Sequence, residues 1–144
     1  MTMPFLDTNV ILRHLLRDDP QFAPACLALF QSIERGQVAV WTSDLVIAEV
    51  VFVLSNKRTY NVDRETIRDA LLPIIELPGV KLAHKRIYRR VFALYTSLPL
   101  DYIDAYHAAL MEQRESRELY SYDTHFDRLP GIRRLEPGGR VGAV

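Results

Sequence analysis

The chain has 144 residues, 18 of them basic and 18 acidic, so its formal net charge is zero and any nucleic-acid partner must be held by a local patch. Hydrophobic residues make up 49% and charged residues 25%, an ordinary globular composition that excludes disordered, collagen-like and coiled-coil chains. The single cysteine, Cys26, excludes an internal disulfide and a cysteine cage for a metal, and points to a reducing compartment.

The opening Met-Thr-Met-Pro-Phe-Leu-Asp has no basic stretch followed by a long apolar one, so no secretory signal is expected. Charged residues interrupt every apolar run before the roughly 20 residues that span a bilayer, so the expectation is a cytoplasmic protein without a membrane partner. One domain is expected over residues 1–136, with residues 137–144, rich in glycine, as a flexible tail.

Residues 4–6 read as a short buried strand, followed at once by a helix over 8–17 with Val10, Ile11, Leu15 and Leu16 at helical spacing. A second helix covers about 22–35 and stops at Gly36, and residues 38–41 look like a strand. Ser43 or Asp44 caps a helix to about Lys57, apolar on nearly every side and therefore expected to be mostly buried. Asp63 opens another helix through Ile75, ended by Pro78-Gly79, and residues 80–83 form a third strand candidate. A helix over about 84–97 divides Ile87, Val91 and Leu94 from Lys85, Arg86, Arg89 and Arg90. Asp101 caps the next helix, which leads to a strand at 118–122, a helical turn near 126–129 and a last strand near 132–135. Strands alternating with helices this regularly predict an α/β fold: a parallel twisted sheet of about four or five strands with helices on both faces. Ligands of such sheets gather beyond the carboxyl ends of the strands, where Asp7 and Asp123 fall.

Most acidic residues lie among polar neighbours and need no chemical role, but four stand apart. Asp7 ends an apolar strand, with an N-cap as its ordinary explanation. Glu49 is the only charged residue between Asp44 and Lys57, where an unpaired carboxylate would be costly unless it met a buried arginine. Asp104 stands one turn into its helix, where the macrodipole and a reciprocal cap with Asp101 would also account for it. Asp123 closes Leu119-Tyr120-Ser121-Tyr122, with a turn or cap as its alternative reading, and Asp127 follows four residues later.

Taken together, Phe5-Leu6-Asp7-Thr8-Asn9-Val10-Ile11-Leu12, residues 43–50 around Glu49, Asp104-Ala105-Tyr106-His107-Ala108-Ala109, and Leu119-Tyr120-Ser121-Tyr122-Asp123 with Phe126-Asp127-Arg128-Leu129-Pro130-Gly131 form a pattern. In order, spacing and length the chain resembles the PIN-domain ribonucleases, especially the small VapC-like toxins of type II toxin-antitoxin modules. The resemblance implies an acidic metal site at Asp7, Glu49, Asp104 and Asp123, with Thr8, Asn9, Asp101 and Asp127 as supporting residues beside it. His125 stands where the family often has a further acidic or polar residue, which bears on a second metal position.

Carboxylates brought together repel, and all-oxygen ligation without cysteine selects a hard cation, Mg²⁺ or Mn²⁺. Metal-activated water attacking an RNA phosphodiester in line would leave a 5′ phosphate and a 3′ hydroxyl. A rival acid and base pair of His107 and His125 would leave a cyclic phosphate, but His107 sits among alanines and suits packing better. Asn9 replaces the second aspartate of a phosphatase Asp-x-Asp motif, against that reading. The basic, acid-free stretch 81–90 predicts a rim for the RNA backbone, with Arg13, Arg17, Lys85 and Arg86 as the expected substrate contacts. The resemblance further implies a homodimer and a cognate antitoxin docking in an apolar groove near Leu12, Leu16, Phe22, Phe30 or Phe52. A housekeeping PIN nuclease and an inactive PIN-like scaffold binding RNA or protein are the alternatives.

Overall fold

The computed structural model describes residues 2–141. It falls into two compact units, residues 1–85 and 86–144, and is a mixed α/β structure in which parallel strands alternate with helices.

In the first unit, Phe5 forms a parallel bridge to Trp41, and Trp41 pairs in turn with Lys81 in the parallel pair β1 (Val40–Trp41) and β2 (Val80–Lys81). The bridge is closed by Leu6 N–H donating to the Trp41 carbonyl at 2.7 Å and Trp41 N–H donating to that of Pro4 at 3.0 Å. Leu6 is buried there, but Phe5 is exposed, because one face of so short a run meets solvent. Helix α1 (Thr8–Leu16) starts directly after the bridge and ends on Arg17 in the left-handed conformation. Helix α2 (Ala23–Glu34) is followed by Gly36 at φ 76°, the glycine terminator its sequence announced. Gly79 is needed for close approach: a Cβ there would meet Ile33 Cγ2 at 2.9 Å and the Val38 carbonyl at 3.1 Å. Helix α3 (Asp44–Ser55) is capped by Ser43, whose hydroxyl accepts from Val46 N–H, and α4 (Arg64–Ile75) by Asp63, which accepts from Thr66 N–H. Ile11, Ile33, Ile47, Val50, Ile67 and Leu71 fill this unit's core.

The expectation that α3 is mostly buried needs correction. Val46, Ile47, Val50, Val51 and Leu54 are buried, but Leu45 is 79% and Phe52 68% exposed. They lie with Glu49 at i, i+4 and i+7, on one open face of the helix.

The helix expected over 84–97 is also divided. A single 3-10 turn (Lys85–Ile87) precedes α5 (Tyr88–Ser97), and His84, the expected first residue, takes a left-handed backbone, φ 57°, that keeps it outside both. In the second unit α5 packs on α6 (Tyr102–Gln113) through Val91, Phe92, Tyr95, Tyr102, Ala105 and Ala109. Strands β3 (Glu118–Tyr120) and β4 (Arg133–Glu136) pair in parallel, with a 3-10 turn (Thr124–Arg128) between them in sequence.

The tail expected to be flexible turns through Gly138 and Gly139 and returns as β5 (Arg140–Val141), antiparallel to β4. The rest of it, 142–144, lies outside the described residues. Among the described residues five strands pair as a group of two and a group of three; the strand expected at 4–6 is a single bridge, and the fifth strand, β5, lies in the expected tail. No helix there is long and apolar enough to cross a membrane.

Candidate functional site

The carboxyl edge of the first unit's parallel strands carries Asp7. Buried Leu6 gives its carbonyl to the Thr42 hydroxyl at 2.8 Å, which fastens the end of the first run beside the turn leading into α3. Asp7 occupies the N-cap position of α1 with φ −86° and ψ 159°, yet its side chain makes no capping hydrogen bond. Its carboxylate is exposed, so the ordinary explanation of this residue does not hold. Thr8 is buried in the first turn; among the described residues its hydroxyl makes no hydrogen bond to Asp7, and Asn9 faces solvent.

Glu49 is exposed on the open face of α3, so the argument from the cost of a buried charge fails for it. An acidic side chain among aliphatic ones is here the polar member of a solvent-facing stripe, not a charge trapped in a core.

In the second unit, Asp101 stands at the N-cap of α6 without a side-chain cap hydrogen bond, and the reciprocal cap with Asp104 is not formed. Asp104 is half-buried, and its carboxyl is held above the usual range by burial first, then by the charges of Asp123 and Asp101, with His107 and His125 pulling the other way. Asp123 lies three residues past β3 as the N-cap of the following 3-10 turn, the cap its position offered: its Oδ1 accepts from His125 N–H at 2.9 Å and lies 2.6 Å from His125 Nδ1. Those contacts, with Arg134 contributing less, hold its carboxyl below the usual range. Two acids of one unit are thus driven apart in proton affinity: Asp123 stays ionised, and its field makes ionisation of Asp104 costly.

Asp127, expected beside the acids, is instead paired with Arg134, Oδ1 to Nε at 2.9 Å. Arg134 has only 6% of its side chain exposed; it also contacts Glu136 at 2.9 Å and donates to the Ser121 carbonyl at 2.8 Å. This arginine ties β4 to the segment just before Asp123, and nothing in the alternation of Arg133-Arg134-Leu135-Glu136 marked it as the buried one.

The expected basic rim is largely occupied by internal bonds. Lys85 donates to the carbonyls of Leu77 at 2.6 Å and Val80 at 2.7 Å, and burial together with the Lys81 charge lowers its ammonium pKa. Lys81 donates to the Pro78 carbonyl at 2.8 Å. Arg90 makes a two-pronged contact with Glu112, at 2.8 and 2.9 Å. Arg17 donates to the His14 carbonyl at 3.3 Å, and Arg13 is 3.8 Å from Asp18. Exposed pairs of that kind are worth at most about 1 kcal/mol, so Arg13 can still be drawn away by a phosphate, as can exposed Arg86.

One further pair went unread in the sequence. His84 Nδ1 lies 3.1 Å from Asp44 Oδ2, joining residues 40 positions apart whose neighbours mark each of them only as a helix start.

A family model, PIN domain, matches residues 5–132 and so spans both compact units. The chain belongs to the PIN-domain family. Comparison with curated proteins returns no match. PIN domains are in general nucleases, hydrolases that act on nucleic acid and typically use divalent metals. Among the described residues, no group of three or more His, Cys, Asp or Glu side chains is gathered to hold a metal ion. The donor chemistry nevertheless fits one. Magnesium binds through one or two carboxylates and keeps several waters, and the repulsion between Asp104 and Asp123 is what a cation relieves.

Proposed function

We propose that this PIN domain is a metal-dependent endoribonuclease of the VapC-like toxin kind, with Asp7, Glu49, Asp104 and Asp123 as the acids that serve a divalent cation, Mg²⁺ or Mn²⁺. The observation that carries the proposal is the raised proton affinity of Asp104 under the charges of Asp123 and Asp101, in a chain whose family match covers residues 5–132. Asp7 and Asp101, both at N-caps and both without a capping bond, support it, since neither carboxylate is consumed by its helix. A divalent cation held by these acids supplies positive charge that makes water a nucleophile at neutral pH and offsets the charge on the phosphate. The chain's own residues have narrower tasks. Asp123 is kept ionised by His125, Arg134 holds the segment before it, and Arg13 and Arg86 offer guanidinium groups to the RNA backbone.

Water as nucleophile leaves the 2′ hydroxyl unused, which separates this reading from an acid and base pair of His107 and His125. His125 is engaged by Asp123, and Tyr106 packs edge-on to the His107 ring at 5.8 Å between centroids. The proposal includes a cytoplasmic setting, a homodimer and an antitoxin partner, for which the exposed apolar residues Phe22, Leu45 and Phe52 offer surface.

Brief induction in bacterial cells is expected to arrest growth and to produce new RNA ends bearing 5′ phosphates within minutes. Mapping those ends beside an Asp7→Asn control checks it. Ends that appear equally with the control overturn the assignment of Asp7. Cleavage without arrest points to a PIN nuclease in RNA processing rather than a toxin.

A further inference from the structure

The row Phe5, Trp41, Lys81 crosses the first unit's parallel strands in register, with Trp41 between the other two. All three are exposed, whereas Leu6, Val40 and Val80, each one residue away on the same runs, are buried. Side chains alternate along extended backbone, so the row stands on the open face of these strands. Phe5 and Trp41 are 44% and 48% exposed, and their rings meet edge to face at 4.6 Å between centroids, which occupies at most one face of each. Contiguous apolar surface rimmed by charge marks an interaction site.

What flanks the pair identifies its occupant. On one side Lys81 brings a cation, whose ammonium gives one of its three N–H groups to the Pro78 carbonyl and keeps two for an anion. On the other, Asp7 lies two residues or about 6.6 Å beyond Phe5, exposed, with buried Leu6 between them, so the open face runs on to the acid. Flat rings suit a base and an ammonium suits a phosphate, and the two together make a surface for single-stranded nucleic acid. Nucleic acid is also what PIN domains act on.

We propose that Phe5 and Trp41 form a base-stacking platform, with Lys81 as its backbone contact, for an unpaired nucleotide flanking the phosphate that Asp7 serves. This rests on the nuclease reading for where the strand lies, but stacking is separate from cutting. A base inside a duplex has both faces covered by its neighbours, so the platform takes unpaired segments and tolerates any base in them.

Trp41 is the chain's single tryptophan, so its fluorescence reports on this face alone. The test compares oligo(A) with an abasic ribose-phosphate oligomer of equal length, two probes of the same charge of which one has bases. Binding is followed in Ca²⁺, by anisotropy of fluorescein-labelled probes and by Trp41 quenching with unlabelled ones, and cleavage of RNA in Mg²⁺ is measured separately. Wild type is expected to bind oligo(A) roughly tenfold more tightly, the scale of one stacked base, and only oligo(A) should quench Trp41. Trp41→Ala should lose the preference, and Trp41→Phe, which keeps a ring, should retain much of it. Lys81→Gln should weaken both probes alike and lower the slope of log affinity against log salt by about one. Trp41→Phe and Lys81→Gln, both conservative, keep the test intact should Trp41→Ala fail to fold. Equal binding of the two probes by wild type, unchanged fluorescence at saturation, a preference that survives in Trp41→Ala, or no binding of either probe overturns the proposal. A dimer that Trp41→Ala dissociates while probe binding stays the same assigns the face to a second copy and overturns it as well. Base-dependent quenching in a protein that cuts no RNA contradicts the nuclease reading and leaves the platform standing.

Discussion

Asp104→Asn is expected to lower Mg²⁺-dependent RNA cleavage by at least about a thousandfold, close to 4 kcal/mol of transition-state stabilisation, while leaving the protein folded. Asparagine keeps the shape of the side chain and removes the charge that the proposed cation site draws on. The same substitution should stabilise the metal-free protein, because the folded state holds the Asp104 carboxyl above its usual range and so favours the protonated form. The penalty is absent below the ordinary carboxylate pKa, about 3.9, and grows as pH rises through the higher folded value. The melting temperature of the variant should therefore exceed that of wild type at pH 7, and the gap should close toward pH 4. Residual cleavage above a tenth of wild type would contradict the first half of this account, and a melting advantage no larger at pH 7 than at pH 4 would contradict the second.

Arg134→Met should be the most damaging single change to stability in the second unit. It removes the cation between Asp127 and Glu136, whose side chains are only 21% and 18% exposed, and strips the donor from the Ser121 carbonyl. Two acids left partly buried without a counter-charge cost far more than an exposed pair gains. A drop of roughly 10 °C in melting temperature is expected, with cleavage reduced as the Asp123 segment loses its anchor. Combining it with Asp127→Asn and Glu136→Gln should recover most of the loss, since no uncompensated charge remains. A single variant that melts within 2 °C of wild type under the same scan would show that the network is ornamental.

Much of this was legible in the amino-acid order. The alternation of elements, the caps at Ser43 and Asp63 and the terminator at Gly36 depend on neighbours within a few positions, and local chemistry decides them. The place of Asp7 just past the Phe5 bridge was readable for the same reason, whereas Asp123, expected to end a strand over 118–122, lies three residues past β3 and caps the 3-10 turn.

What could not be read depends on contacts far apart in the chain. Glu49 looked trapped because its neighbours are aliphatic, yet Leu45 and Phe52 flank it on an open face, and no periodicity reveals what covers a helix. Lys85 looked like a free cation until the turn after β2 delivered the Leu77 and Val80 carbonyls to it. The burial of Arg134, and the meeting of Asp44 with His84, arise from pairing between strands that sequence spacing does not encode.

The central claim is that the acids of this PIN domain hold a divalent cation. Titration of the wild-type protein with Mn²⁺, followed by the loss of the free-ion paramagnetic resonance signal, tests it most directly. The account predicts saturable binding that Mg²⁺ displaces and that Asp104→Asn weakens at least tenfold, about 1.4 kcal/mol. Unsaturable uptake, or identical titrations for wild type and Asp104→Asn, would contradict it.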